Sequence, residues 1–261
     1  MIARRSEFAI LAIGITAFVV LSIEHDRAHR GTPPSTYSTY DTGPNGYRAL
    51  YAVLLGAGVP VRRFGHALGT LDSAGLQTLV VSNYDNEPSA RPLGVRDRDA
   101  LARFVRGGGR LVVLDTGFAG SEDIVPAVGV SKPVRAYGAI ALARNRYTAG
   151  VRSVAAVIDA AFPFAMRSGQ PLLANRSGIV AALYSYGKGD VVAITAPNLF
   201  SNASLRDADN AAFAYDVVAG HGPAAFDEYV HGYDEDLGFW RCCRRRRGPP
   251  FGSSSQSSFW R

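Results

Sequence analysis

The sequence predicts an α/β domain built on a mostly parallel sheet with helices on both faces, preceded by one membrane-spanning helix. Three observations carry this expectation. Two strand-length runs, Thr78–Ser82 (TLVVS) and Arg110–Leu114 (RLVVL), are almost wholly apolar, as strands covered on both faces are. Segments with helical apolar periodicity alternate with them, the order that builds parallel sheets. Near the N-terminus, Phe8 to Ile23 (FAILAIGITAFVVLSI) carries no charge.

That run has 16 residues, about 24 Å as a helix at ~1.5 Å per residue. It is slightly short of the ~17–25 residues of a usual span, but Ile2 and Ala3 lie upstream and Arg4 and Arg5 can snorkel to the headgroups. A cleaved leader would end on small residues, whereas this run ends Leu-Ser-Ile-Glu-His-Asp. Residues 1–30 are therefore expected to form a cytoplasmic stub and an uncleaved anchor. Arg4 and Arg5 put the N-terminus in the cytoplasm, and the main domain is expected outside it.

Residues 31–40 (GTPPSTYSTY) have the composition of a polar linker, leading to a domain over 41–238. Asp41 or Thr42 with Pro44 announces a helix, Ala49, Leu50, Val53 and Leu54 give its apolar stripe, and Gly56 and Gly58 end it. Val59–Phe64 is expected as a strand. Asp97–Arg106 is an amphipathic helix with Leu101, Phe104 and Val105 inward, closed by Gly107, Gly108 and Gly109. The stretch 131–177 has weaker periodicity and suggests an inserted subdomain. Ile179–Tyr184 and Asp190–Thr195 form a hairpin around Tyr186-Gly187-Lys188-Gly189. A helix over Asp207–Val218 and a strand over Ala225–Val230 complete the domain.

Residues 239–261 are a basic tail of few residue types. Their composition fits either a flexible tail or out-of-frame translation of a GC-rich gene, with the second favoured. Six arginines sit at 241–261 and account for the net charge of +6, leaving 22 basic against 22 acidic residues elsewhere. With the excess confined to a tail, nucleic acid is not an expected partner. Cys242 and Cys243, the two cysteines of the chain, lie there too, so the body has no thiolate nucleophile and no cysteine-based metal site.

Four segments resemble the domain of unknown function 4350 family of bacterial membrane proteins. They are residues 35–64 (STYSTYDTGPNGYRALYAVLLGAGVPVRRF), 107–116 (GGGRLVVLDT), 194–218 (ITAPNLFSNASLRDADNAAFAYDVV) and 226–233 (FDEYVHGY). The resemblance covers about residues 35–235. It implies a flavodoxin-like (Rossmann-like) sheet related to the class I glutamine amidotransferase-like fold, and membrane helices on both sides of the domain. It brings no activity with it. Amidotransferase chemistry needs a cysteine at a strand end, and none is present in the body.

No G-x-S-x-G elbow occurs, and the glycines at 107–109 stand between a helix and a strand, the wrong order for a phosphate cradle. Asn83 and Asp115 follow buried strands, where parallel sheets hold ligands, although both residue types also simply make turns. Glu228 and His231 could act as acid and base or share a metal, but three residues apart on a strand they face opposite ways unless the chain turns at Gly232. Asn202, Asp209 and Asn210 could join them at a corner or serve as helix caps. The candidate ligand-binding set is Asn83, Asp115, Asn202, Asp209, Asn210, Glu228 and His231, with no catalytic residue, metal or cofactor expected. The leading expectation is a membrane-tethered, non-catalytic binding module for a small ligand or an envelope or membrane protein partner. The rival is a metal-assisted or acid/base hydrolase using Asp115, Glu228 and His231.

Overall fold

The computed structural model describes residues 36–82, 91–114, 132–166 and 168–235. The first helix, α1 (Arg48–Gly56), is followed by strand β1 (Val61–Phe64), a 310 turn (Leu68–Ser73) and β2 (Thr78–Ser82). Next come α2 (Val95–Arg106), β3 (Arg110–Leu114), β4 (Lys132–Ala141), β5 (Ser153–Ala161) and β6 (Gln170–Asn175). The hairpin β7 (Gly178–Tyr186) and β8 (Gly189–Ile194), helix α3 (Asn210–Val218) and β9 (Ala224–Asp227) complete the order. All nine strands join one sheet in the order β1-β9-β2-β3-β8-β7-β6-β4-β5.

The sheet is mixed, which corrects the expected flavodoxin-like, mostly parallel arrangement. The pairings β1–β9, β9–β2, β2–β3 and β3–β8 are parallel. The pairings β8–β7, β7–β6, β6–β4 and β4–β5 are antiparallel. The stretch 131–177 is the reason: it supplies three strands that extend the sheet from β7 instead of folding apart. Helices are few, with three α-helices among the described residues. The anchor run at 8–23 lies outside the described residues; within them no helix is long and apolar enough to cross a membrane.

Strand alternation sends each half of a buried strand to a different core. Val80 and Val112 pack with Leu50 and Leu54 of α1 and Phe213 and Val217 of α3. Leu79, Val81, Leu111 and Val113 pack with Leu101, Phe104 and Val105 of α2 and with Leu68 and Leu71. The parallel half is thus covered on both faces. Beyond it, Val154, Ala156 and Ile158 of β5 join the first core, while Tyr137, Ile140 and Val157 on the other side of β4 and β5 are exposed.

The first helix starts at Arg48, later than the Pro44 signal suggests, because residues 41–46 close a tight loop instead. Gly43 N–H donates to Asp41 Oδ1 (2.7 Å), and a Cβ at Gly46 would sit 2.1 Å from the Asp41 carbonyl oxygen. Only glycine allows that approach.

Candidate functional site

The carboxyl ends of β1, β2 and β9 meet the segment 36–47, and there the polar residues gather. Tyr37, Ser38 and Thr39, in the stretch expected to be linker, are buried. Ser38 Oγ donates to Glu228 Oε2 (2.5 Å), while the Thr39 N–H (2.8 Å) and Oγ1 (2.5 Å) both donate to Oε1. Arg63 backs this contact without touching the carboxylate: its Nε donates to Thr39 Oγ1 (2.8 Å) and an Nη to the Thr39 carbonyl (3.1 Å). Its guanidinium lies over the rings of Tyr40 (4.1 Å) and Tyr51 (4.3 Å), and Tyr40 stacks on Tyr233 (4.5 Å between centroids).

The strand ends at Asp227, and a turn at Glu228–Gly232 is closed by His231 N–H to the Glu228 carbonyl (3.2 Å). The turn removes the strand's opposite-face problem: Glu228 reaches Ser38 and Thr39 directly, and His231 meets Ser82, which lies against the Tyr37 carbonyl. His231 Nε2 lies 3.1 Å from Ser82 Oγ, and that hydroxyl is 3.3 Å from the Tyr37 carbonyl oxygen. A serine and a histidine at a strand end have the composition of a nucleophile and its base. Here both are buried, and the Ser82 hydroxyl lies within reach of both the imidazole and the Tyr37 carbonyl, so the His231 tautomer sets which of them takes its proton. Burial pushes the Glu228 carboxyl up to about 6, with the Ser38 and Thr39 donors opposing the rise. Asp227, on the opposite side of the strand, is pushed up to about 8 by burial, opposed by the Tyr229 N–H that donates to Oδ1 (2.9 Å). Its Oδ2 is buried with no hydrogen-bond partner.

At the other end of the sheet a second network joins the starts of β3 and β8. Arg110 Nε donates to Asp190 Oδ1 (3.0 Å), and an Arg110 Nη reaches the carbonyls of Val217 (3.3 Å) and Ala219 (3.4 Å) at the end of α3. Asp190 Oδ2 accepts from Arg146 (2.8 Å) and from the Tyr147 hydroxyl (2.7 Å). Two guanidinium groups therefore balance one carboxylate. Neither Ser38, Thr39 nor Arg110 was marked by the sequence as functional; the linker has no period to betray burial, and an arginine opening a strand looks like a surface residue.

The remaining candidates separate. Asn83 and Asp115 lie outside the described residues. Asn202 is a brace for α1: its Oδ1 accepts the Ala49 N–H (2.7 Å), and its Nδ2 donates to the carbonyls of Asp41 (3.1 Å) and Gly43 (2.6 Å). Asp209 and Asn210 cover the outer edge of β5. Asp209 Oδ2 accepts the N–H groups of Arg152 (2.8 Å) and Ser153 (3.1 Å), which hold its carboxyl below the usual range. Asn210 pairs with Ala155 as a strand would, accepting its N–H (2.9 Å) and donating to its carbonyl (2.8 Å). Asn198 donates to the Val157 carbonyl (2.8 Å) on the same edge. These side chains close an edge that would otherwise offer a template for pairing. Among the described residues no group of three His, Cys, Asp or Glu is placed to hold a metal ion. A cleft of about 380 Å³ lined by Ser168, Gln170, Leu183, Tyr184 and Ser185 lies on the antiparallel half.

A half-parallel, half-antiparallel nine-stranded sheet, with a buried polar clasp at its strand ends, defines a mixed α/β domain. The chain belongs to the family described as Domain of unknown function (DUF4350), whose model matches residues 39–218. Its structure is similar to the solved mmIFT52 N-terminal domain, with 12% identity and a TM-score of 0.51 over 77% of this chain and 95% of that one. It is also similar to the Cytoplasmic Protein STM1381 from Salmonella typhimurium LT2, with 16% identity and a TM-score of 0.46 over 66% of this chain and 85% of that one. At such identities the first likeness speaks to the fold alone, and the second carries no argument. No curated protein matches the chain.

Proposed function

We propose that this is a membrane-tethered, non-catalytic domain, held outside the cytoplasm by its N-terminal anchor, that binds an envelope or membrane protein partner or a small ligand. One observation carries the reading: the Glu228 carboxylate, the strongest candidate for acid–base work, is buried (1% exposed) and accepts three hydrogen bonds from the domain's own N-terminal segment. A general base must reach a substrate proton, and this one is directed inward. The kinship with amidotransferase-like folds belongs to the same proposal. It rests on the parallel half of the sheet.

Glu228→Gln tests this reading in a deletion strain. The amide keeps the shape and one acceptor, so a binding module that remains folded complements the deletion. A folded variant that fails to complement points to the hydrolase. Topology is checked with Thr70→Cys, an exposed position, after Cys242 and Cys243 are replaced. An external domain is labelled by a membrane-impermeant reagent in intact cells, whereas a cytoplasmic one is labelled only after lysis.

A further inference from the structure

The neutrality of the folded body hides a strong asymmetry. Residues 132–177 carry seven basic residues against one acidic residue, Asp159, while residues 178–235 carry two basic residues, Lys188 and Arg206, against eight acidic. The first segment is the outer part of the antiparallel half, β4 to β6; the second ends at the acidic β9 corner.

The basic region is also where, among the described residues, the sheet has an exposed apolar face. Tyr137 is 70% exposed, Ile140 60% and Val157 53%, and Tyr137 and Val157 are directly paired across β4 and β5, so they share a face. Ile140 pairs with Ala174 of β6, whose side chain lies on the α2 side of the sheet, so this stripe lies opposite the face covered by α1 and α3. Leu142, 48% exposed, follows the stripe past the end of β4. Exposed arginines and a lysine frame it: Arg135 two residues before Tyr137, Lys132 at one end, and Arg144 and Arg152 at the other. The nearby carboxylates are Asp159, two residues beyond Val157, and Asp209, held at the β5 edge.

We infer that the outer face of β4 and β5 docks on an anionic lipid surface, with Tyr137, Ile140 and Val157 entering the headgroup boundary and the flanking basic side chains meeting lipid phosphates. An apolar stripe rimmed by basic residues is the composition of a peripheral membrane contact. Two of the three central side chains are aliphatic, which suits acyl chains; a nucleic-acid surface would want ring faces on which bases stack. The edge of β5 is closed by Asp209, Asn210 and Asn198, so the face rather than the edge is offered. The contact rests on charge and exposure in the folded domain and holds on whichever side of the membrane the domain lies.

The test uses the full chain with Cys242 and Cys243 replaced, carrying an environment-sensitive fluorophore at Val157→Cys, or at Leu55→Cys on the opposite face as control. The protein is reconstituted with vesicles of phosphatidylcholine alone or mixed with phosphatidylglycerol. The anchor alone decides whether the chain floats with vesicles of either composition, and the label reports the face alone. The expected result is a blue shift and loss of acrylamide quenching at position 157 only in anionic vesicles, reversed by high salt, with no change at position 55. Replacing Arg135 and Arg144 by Glu abolishes it, since each basic residue is worth about a fivefold change in partitioning to an anionic surface. A label at 157 that stays fully quenchable in both vesicle types overturns the inference. So does a label that responds to a single-stranded oligonucleotide but not to anionic vesicles, which would make the face a nucleic-acid surface.

Discussion

Two buried carboxylates at opposite ends of the sheet are held by different means. Asp190, at the amino ends of β3 and β8, faces two guanidinium groups and a phenol. Glu228, beyond the carboxyl end of β9, faces two hydroxyls and a backbone amide, with Arg63 reaching it only through Thr39. The first network is balanced by charge and joins strands to the end of α3. The second is balanced by neutral donors and ties residues 190 positions apart in the chain. Burial raises the Glu228 carboxyl to about 6 even though three neutral donors oppose the rise. Both carboxylates are committed to hydrogen bonds within the fold.

Removing one side of each network separates the two strategies. Arg110→Ala is the most damaging change, because it leaves a buried carboxylate short of its partner and two α3 carbonyls unpaired; a loss of about 3 kcal/mol is expected in denaturant unfolding. Glu228→Ala leaves three donors without an acceptor and should cost about 2 kcal/mol. If the two losses were reversed in order, the charge-balanced network would not be the stronger.

The pH dependence sharpens the contrast. The Asp227 carboxyl is pushed from 3.8 up to about 8 in the folded protein. Its stabilising contribution is therefore fully present below 3.8 and is lost as pH rises through 8, at a slope of at most about 1.4 kcal/mol per pH unit. Glu228 adds the same sign over the narrower window between 4.5 and about 6. Asp227→Asn should flatten the slope above pH 6 in thermal melts. A wild-type protein whose stability does not change between pH 6 and 8 would contradict the buried-acid account. The smallest effect is expected from Asn210→Ala, about 1 kcal/mol, accompanied by faster hydrogen exchange at Ala155.

The parallel half was legible because burial on both faces leaves a plain record: Thr78–Ser82 and Arg110–Leu114 are buried at every position and were found at their observed limits. The antiparallel half was not, because β4 is exposed over most of its length and its alternation is broken by a bulge at Tyr137–Ala139. Gly138 there has φ +68, and a Cβ would lie 2.8 Å from the Val154 carbonyl oxygen. Such a strand has neither a continuous apolar run nor a clean period of two. Among the site residues, Glu228 and His231 were identifiable by type and by their place at a strand end. Their partners Ser38 and Thr39 were not, since hydroxyls in a polar stretch look the same whether they cap a loop or bind a carboxylate. The basic face of β4 to β6 was visible in the sequence but was averaged away when charge was summed over the whole body.

The clasp itself is tested most directly by native-state hydrogen exchange across residues 36–47 in the wild type and in Glu228→Ala. The Thr39 amide donates to Glu228 Oε1, so its protection should fall sharply in the variant while the amides of β2 and β3 remain protected. Unchanged protection at Thr39 would mean that Glu228 does not hold the segment, and would return its carboxylate to the list of groups available for chemistry.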